Sequence, residues 1–459
     1  MSWLDSALLA GAILCALAAM AGRTGRPARA CAVLVLLAAG CVLQVVAEGW
    51  YWQFVPVYAL ILLAALRMAR GARRTRWQES LVCAGLLGGA GVLAASWVFL
   101  PVPGLPAPHG PYAVGTQVFR WVDATRPEPA TRAPGDRRNL VVQAWYPAAH
   151  GAGGVHAAYI DGLGRLPDAV AGMPGAVLAH YDRIDTHGIQ RAPVAADRRT
   201  WPVVLFSPGY GASRAFYTTL VSDLASRGFV VLAVDHPFEA SVTQLADGRL
   251  ATPVERFAAN DPDRLDYMRQ RLEVRTADLR AVLDRLAHPD GLGSLAGRLD
   301  LARIAAVGHS FGGAASVAIA STDERVRAAV NLDGTLYGTL AERQLDRPFL
   351  LIESDRGETR HSALYLQGNR RLIAHLQSAG FRYQIAQANH YSFTDVPLLL
   401  SPPARWLLAK VMGGARGPAE TVHASVDLLA AFLQGRPADL QAVAGRYRRI
   451  EGGPAGPSG

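Results

Sequence analysis

The pattern of apolar and polar positions divides the chain near residue 100. Ahead of that point lie four apolar stretches, residues 7–22, 31–47, 51–66 and 81–100, none with an internal Asp, Glu, Lys or Arg. Each approaches or reaches the ~20 residues that carry a helix across a bilayer. They predict a transmembrane anchor domain of four helices over residues 1–100. Residues 101–115 (PVPGLPAPHGPYAVG) read as a Pro- and Gly-rich linker. Beyond it, short apolar runs alternate with longer helical ones. Strands are expected at 117–122, 140–146, 202–206, 229–234, 304–307, 326–332, 348–352 and 381–386, and helices at 214–226, 263–286, 314–320, 369–378 and 424–434. An opening pair of strands followed by strand–helix alternation predicts an α/β domain over residues 116–442, a mostly parallel eight-stranded sheet flanked by helices. A Gly-rich, irregular excursion follows the second strand up to Thr200. The tail, residues 443–459, ends in EGGPAGPSG and is expected to be disordered.

Charge adds an orientation. Arg23, Arg26 and Arg29 separate the first two stretches, and Arg67, Arg70, Arg73, Arg74 and Arg76 separate the last two, whereas the second-to-third connection carries only Glu48. The positive-inside rule puts both arginine loops in the cytoplasm. The chain is then a multi-pass protein of the inner membrane, with its large domain periplasmic or extracellular. Residues 1–22 lack the basic start of a signal peptide, with Asp5 in its place, and apolar sequence runs on past the faintly lipobox-like segment 37–41. The net charge of +9 comes from dispersed arginines, with Lys410 the only lysine, and no basic stripe with aromatics marks a nucleic-acid partner. Cys15, Cys31, Cys41 and Cys83 all lie in the apolar stretches, so the large domain has no disulfide framework or cysteine metal site.

The chemistry centres on Gly308-His309-Ser310-Phe311-Gly312-Gly313, a G-x-S-x-G pattern between an apolar strand and a small-residue helix. Such a turn presents a serine hydroxyl above the sheet, and the Phe311 amide would point at a developing oxyanion. Active groups in open α/β sheets gather at the carboxyl ends of strands. By that rule Asp333 and Asp355 are candidate acids and His390 is the candidate base, giving the chain order serine, acid, histidine. A serine hydroxyl needs a neutral imidazole to remove its proton, and the imidazole needs a carboxylate on its other nitrogen. His309 adjoins the serine but should project elsewhere, and His236 is expected to support a loop. Phe206-Ser207-Pro208-Gly209-Tyr210-Gly211 would supply a second oxyanion donor, the Tyr210 amide.

Several segments in this order carry a family resemblance: Val141–Pro147 (VVQAWYP), Phe206–Gly211 (FSPGYG), Leu224–Val231 (LASRGFVV), Gly308–Gly313 (GHSFGG), Leu332-Asp333 and His390–Asp395 (HYSFTD). Over roughly residues 115–435 the chain resembles the platelet-activating factor acetylhydrolases of the plasma and intracellular type II kind. The resemblance implies an α/β-hydrolase fold and a calcium-independent serine esterase cleaving short acyl esters, those of phospholipids among them. It implies neither cofactor nor metal, and it puts the acid on Asp333 and the base on His390. Two alternatives stand beside it: a polyester or xenobiotic esterase on the same fold, and a catalytically silent binding protein.

Overall fold

The structure is a computed structural model of the 459-residue chain. It describes residues 3–20, 27–50, 52–69, 76–99, 102–161, 169–170, 173–174, 181–254, 261–412 and 417–456. Arg23, Arg26, Arg70, Arg73 and Arg74 of the arginine loops, and residues 457–459 of the tail, lie outside the described residues. The chain forms two compact units, one holding the first four helices and the other the sheet.

In the first unit α1 (Trp3–Met20), α2 (Pro27–Glu48), α3 (Val55–Ala69) and α4 (Arg76–Phe99) pack around Leu8, Ala12, Phe54, Leu60, Leu86 and Leu93. Small residues let the helices close up: a Cβ on Gly11 would stand 2.6 Å from Leu37, and one on Gly40 2.7 Å from Leu8. In α4 a Cβ on Gly89 would stand 3.0 Å from Leu60 of α3, while one on Gly85 would meet nothing within 4 Å. Among the described residues only the segment Cys31–Glu48 of α2 is long and apolar enough to cross a membrane; the apolar parts of α1, α3 and α4 are shorter. The expectation of a four-helix transmembrane domain therefore narrows to four packed helices with one candidate span.

The second unit carries a ten-stranded sheet, two strands more than expected. Its strands are β1 (Ala113–Pro127), β2 (Arg137–Ala148), β3 (Gly188–Gln190), β4 (Trp201–Ser207), β5 (Val230–Asp235), β6 (Leu299–His309), β7 (Val326–Leu332), β8 (Phe349–Ser354), β9 (Gly380–Ile385) and β10 (Ile450–Pro454). Across the sheet the order is β10-β9-β8-β7-β6-β4-β5-β2-β1-β3. The six strands from β9 to β5 are parallel; β2 and β10 pair antiparallel to their inner neighbours, and β1 pairs antiparallel to β2. Helices α5 (Thr218–Ser226), α6 (Arg264–Leu286), α7 (Phe311–Ala320), α8 (Ala363–Ala374), α9 (Pro402–Met412), α10 (Pro418–Leu433) and α11 (Pro437–Arg446) complete the element order. All eight expected strands are present: the central β4, β5 and β8 are apolar runs buried on both faces, with no exposed residue, whereas β1 and β9 are buried mainly on one face.

Both additional strands are edges, where backbone pairing needs little apolar patterning. β3 lies in the Gly-rich excursion and pairs parallel to β1 through three residues. β10 corrects the expectation of a disordered tail, since it pairs with Phe381–Ile385 of β9 and is the next element after α11. Its glycines permit close approach: a Cβ on Gly452 would fall 2.1 Å from the Arg382 carbonyl oxygen.

From β4 the chain turns one way to β5, and after α6 it crosses to β6 on the other side of β4. The adjacent ends of β4 and β6 are thus the switch point of the sheet, where ligand crevices form. Ser207 ends β4 opposite Gly308 of β6, one residue short of His309 and two short of Ser310.

Candidate active site

The turn after β6 dictates its own sequence. Ser310 has φ 55° and ψ −120°, a region costing about 1–3 kcal/mol for a residue with a Cβ. The reversal brings backbone against backbone: a Cβ on Gly308 would sit 2.1 Å from the Gly312 carbonyl oxygen, and one on Gly312 1.9 Å from that of Ser207. Only glycine fits at both positions. The Ser310 amide donates to the Leu332 carbonyl at 2.8 Å, fixing the elbow to β7, and α7 begins at the next residue, Phe311.

Asp333 follows β7 in a second positive-φ turn, φ 53°. Asn331 closes that turn, accepting from the Gly334 amide at 2.8 Å and donating to the Gly334 carbonyl at 2.9 Å. His390 stands after β9, on a single helical turn (His390–Phe393) capped by Asn389 and Ser392. The three residues meet. His390 Nδ1 lies 2.7 Å from Asp333 Oδ2, and His390 Nε2 lies 2.9 Å from Ser310 Oγ. A carboxylate only accepts, so Nδ1 carries the proton and Nε2 is left to accept from the serine hydroxyl.

Asp333 is fully buried and supplied with donors on both oxygens. Besides His390, it accepts from the Ser354 amide (2.9 Å), Ser354 Oγ (2.8 Å) and His361 Nε2 (2.9 Å), and the Tyr365 hydroxyl oxygen stands 3.3 Å from Oδ1. Burial pushes its carboxyl up, but the hydrogen bonds from His361 and His390 outweigh that and hold it far below the usual carboxylate range. Asp355 is elsewhere: its carboxylate accepts from the amides of Gly357 (2.8 Å) and Gln387 (2.7 Å) and bonds neither histidine.

His309 braces the backbone of His390. A carbonyl only accepts, so His309 Nε2 donates to the His390 carbonyl (2.9 Å) and Nδ1 accepts from the Tyr217 hydroxyl (2.8 Å). Tyr217 in turn accepts from the Gly209 amide at 2.9 Å. One chain of hydrogen bonds therefore ties the loop after β4 to the backbone of His390. Burial, and then the neighbouring His390 charge, lowers the His309 imidazole to about 3, so it serves as a neutral strut. A Cβ on Gly209 would stand 3.4 Å from Ser310 Cβ, which brings the Gly209-Tyr210 turn against the serine. Tyr210 and Phe311 meet edge to face at 6.2 Å.

His236 supports a loop in an unexpected way. Its Nδ1 donates to Asp278 (2.9 Å) and its Nε2 accepts from Ser207 Oγ (3.0 Å), a second serine–histidine–aspartate line. Every member is buried. Arg275 closes over it, donating to Ser207 Oγ and to the carbonyls of Pro208 and Gly209, and pairing with Glu239. Burial and the Arg275 charge lower the His236 imidazole.

Tyr217, Ser354, His361 and Tyr365 escaped the sequence reading. Ser354 ends β8 and could have been picked by the strand-end rule; His361 lies seven residues further on, in a loop without pattern. Among the described residues one cluster could hold a metal ion: His109, Asp223 and His423 place ligand atoms within 4.8 Å of one another. Asp223 there accepts from the His109 amide (2.9 Å), His423 Nδ1 (3.0 Å) and Arg227 Nε (3.2 Å). Burial raises its carboxyl, but these partners prevail and hold it at about 2.

The model of the family described as platelet-activating factor acetylhydrolase, isoform II, matches residues 105–288 and 283–443. A probable 1-alkyl-2-acetylglycerophosphocholine esterase of Arthroderma benhamiae is 25% identical over 359 residues, 70% of this chain and 83% of that protein. The platelet-activating factor acetylhydrolase of Bos taurus is 30% identical over 179 residues, 34% of this chain and 40% of the bovine protein. Cutinase est1 of Thermobifida alba is 26% identical over 35% of this chain and 43% of its own. Among solved structures, a ferulic acid esterase from Streptomyces cinnamoneus superposes with a TM-score of 0.60 at 31% identity, covering 72% of this chain and 92% of that one.

Proposed function

The chain belongs to the platelet-activating factor acetylhydrolase, isoform II, family and is a carboxylic-ester hydrolase, and we propose that it works through an acyl-enzyme on Ser310. The observation that carries this is the Ser310 Oγ–His390 Nε2–Asp333 line, 2.9 and 2.7 Å, at the ends of β6, β9 and β7. His390 takes the hydroxyl proton as Ser310 attacks the ester carbonyl. Asp333 holds the tautomer and stabilises the imidazolium, and His390 then protonates the leaving alcohol. Water repeats the sequence on the acyl-enzyme. The oxyanion is received by the amides of Phe311, at the start of α7, and Tyr210; the Gly209 amide is engaged by Tyr217.

Short acyl esters, those of phospholipids included, are the substrate class the acetylhydrolase relatives favour. Similarity to cutinase est1 and to the ferulic acid esterase supports a second reading, a polyester or aromatic-ester hydrolase. A panel of esters graded by acyl length, run beside a polyester film, separates the two. Fluorophosphonate labelling excludes both if the wild-type chain stays unlabelled.

We further infer that the four helices anchor the enzyme as a multi-pass protein, with the α/β unit periplasmic or extracellular. The apolar side chains of α2 support lipid contact: Val35, Leu36 and Val46 are 66%, 71% and 78% exposed, and only 6% of the candidate span is buried. Leu14 of α1, Leu62 of α3 and Leu87 of α4 are exposed as well. Protease added to sealed spheroplasts should digest the α/β unit; digestion only after lysis would overturn the orientation.

A further inference from the structure

His361 lies on the loop between β8 and α8, with its side chain 5% exposed. Its ring stacks on Tyr365, 4.0 Å between centroids at 15°. Its Nε2 lies 2.9 Å from Asp333 Oδ1, while His390 Nδ1 lies 2.7 Å from Oδ2. Nε2 must carry the proton, because a carboxylate only accepts. One buried carboxylate thus serves two imidazoles, one on each oxygen.

Holding Asp333 in place does not require this second imidazole. The Ser354 amide already fixes Oδ1, and Ser354 Oγ fixes Oδ2. What His361 adds is withdrawal of charge, and its hydrogen bond heads the influences that hold the Asp333 carboxyl down. A carboxylate stabilised by more donors is a weaker base, so it binds the His390 proton less firmly.

We propose that His361 is a positioning residue that sets, through Asp333, the pH range over which His390 can act as the base. Dividing the carboxylate between two donors leaves less of its charge to hold a proton on His390. The remaining groups facing His361 do not do this. Ser354 Oγ, 3.3 Å from Nε2, is bonded to Thr359 and carries no charge. Tyr365 donates to Glu353 at 3.0 Å, and Glu353 is paired with Arg382. His390 stands across the carboxylate. The inference rests on the reading of Ser310, His390 and Asp333 as the reacting line.

The test is the pH profile of kcat/KM with p-nitrophenyl acetate, for the wild type, His361→Phe and His361→Gln. Phenylalanine keeps the stack on Tyr365 and loses the donor; glutamine keeps an N–H. The acid limb of His361→Phe should move up by about 0.5–1 pH unit, less than the ~1–3 units a full charge produces. His361→Gln should return it toward the wild-type position. A fall in activity that is uniform across pH, with the limb unmoved, would overturn the proposal. If His361→Phe does not fold, His361→Asn, too short to reach Oδ1, must show the same displacement or the proposal fails. Failure of the underlying reading looks different: Ser310→Ala would then retain wild-type turnover, whatever the His361 variants do.

Discussion

Ser207 Oγ lies 3.0 Å from His236 Nε2, nearly the distance that separates Ser310 Oγ from His390 Nε2, 2.9 Å. Each imidazole is bonded on its other nitrogen to a buried aspartate, Asp278 or Asp333. Their surroundings differ. His390 is 34% exposed at the side chain, whereas His236 is 1% exposed. Attack by Ser207 would create an imidazolium in the dark of the core beside the Arg275 cation, which the low dielectric penalises. Ser310 alone precedes a helix whose first amide can meet an oxyanion. Three-residue geometry therefore does not decide reactivity; access and the surrounding charges do.

The first prediction follows from that contrast. Ser310→Ala should abolish fluorophosphonate labelling and ester hydrolysis, while Ser207→Ala should still be labelled. Ser207→Ala should instead lose about 1–3 kcal/mol of stability, because His236 and Arg275 each lose a buried partner. Chemical denaturation with labelling as a parallel readout checks both. Labelling that persists in Ser310→Ala but vanishes in Ser207→Ala would exchange the two roles.

Asp333 and Asp355 separate next. Asp333→Asn leaves an amide facing His390 Nδ1 and permits the wrong tautomer, so kcat should fall by ~10⁴. Asp355→Asn touches only two loop amides, those of Gly357 and Gln387, and should leave kcat near the wild-type value. A large loss confined to Asp355→Asn would remove Asp333 from the reacting line.

How much of this was legible in the sequence depended on whether side-chain pattern carried the information. The central strands and the elbow at Ser310 announce themselves, because burial on both faces demands continuous apolar runs and the elbow demands Gly308 and Gly312; β1 and β9 show instead as shorter, alternating runs. β10 does not, since its pairing with β9 is backbone to backbone and its glycines imitate a flexible tail. The partners of Asp333 split in the same way. His390 follows a strand directly and is visible, while His361 and Tyr365 are brought in by a patternless loop and the start of α8. Tyr217 and His309 belong to a relay that only the folded chain assembles. In the amino-terminal unit composition marked four apolar helices, yet among the described residues length and hydropathy leave only α2 as a candidate span.

Glycine at the elbow gives a third test. Gly308→Ala would place a Cβ 2.1 Å from the Gly312 carbonyl oxygen, and backbone cannot step aside as a flexible side chain would. A loss of at least ~3 kcal/mol, or failure to fold, is expected, at the severe end of overpacking. Gly445 is the control: it lies in α11, and a Cβ there meets nothing within 4 Å. Gly445→Ala should be neutral or stabilise by up to ~1 kcal/mol. Equal effects at the two positions, measured by denaturant midpoints, would show that the elbow is looser than this geometry.

The fourth prediction concerns Asp395, at the end of the segment that begins with His390. It is 1% exposed and accepts from the Thr219 amide (3.2 Å) and the Tyr159 hydroxyl (3.1 Å), with no cation bonded to it among the described residues. Burial raises its carboxyl to about 6, and these hydrogen bonds only partly offset that. A carboxyl raised in the folded state favours folding while protonated. Its contribution is complete below the unfolded value near ~4 and is lost as pH rises through about 6. The loss amounts to about 2–3 kcal/mol by pH 7. Asp395→Asn removes the titration: its carbonyl keeps the Thr219 bond, and its amide can donate to Tyr159, whose hydroxyl turns to accept. Thermal melts should therefore show the variant gaining on the wild type as pH rises from 4.5 to 7.5. A difference in Tm that stays constant over that range would mean that Asp395 is not protonated in the folded chain at acid pH.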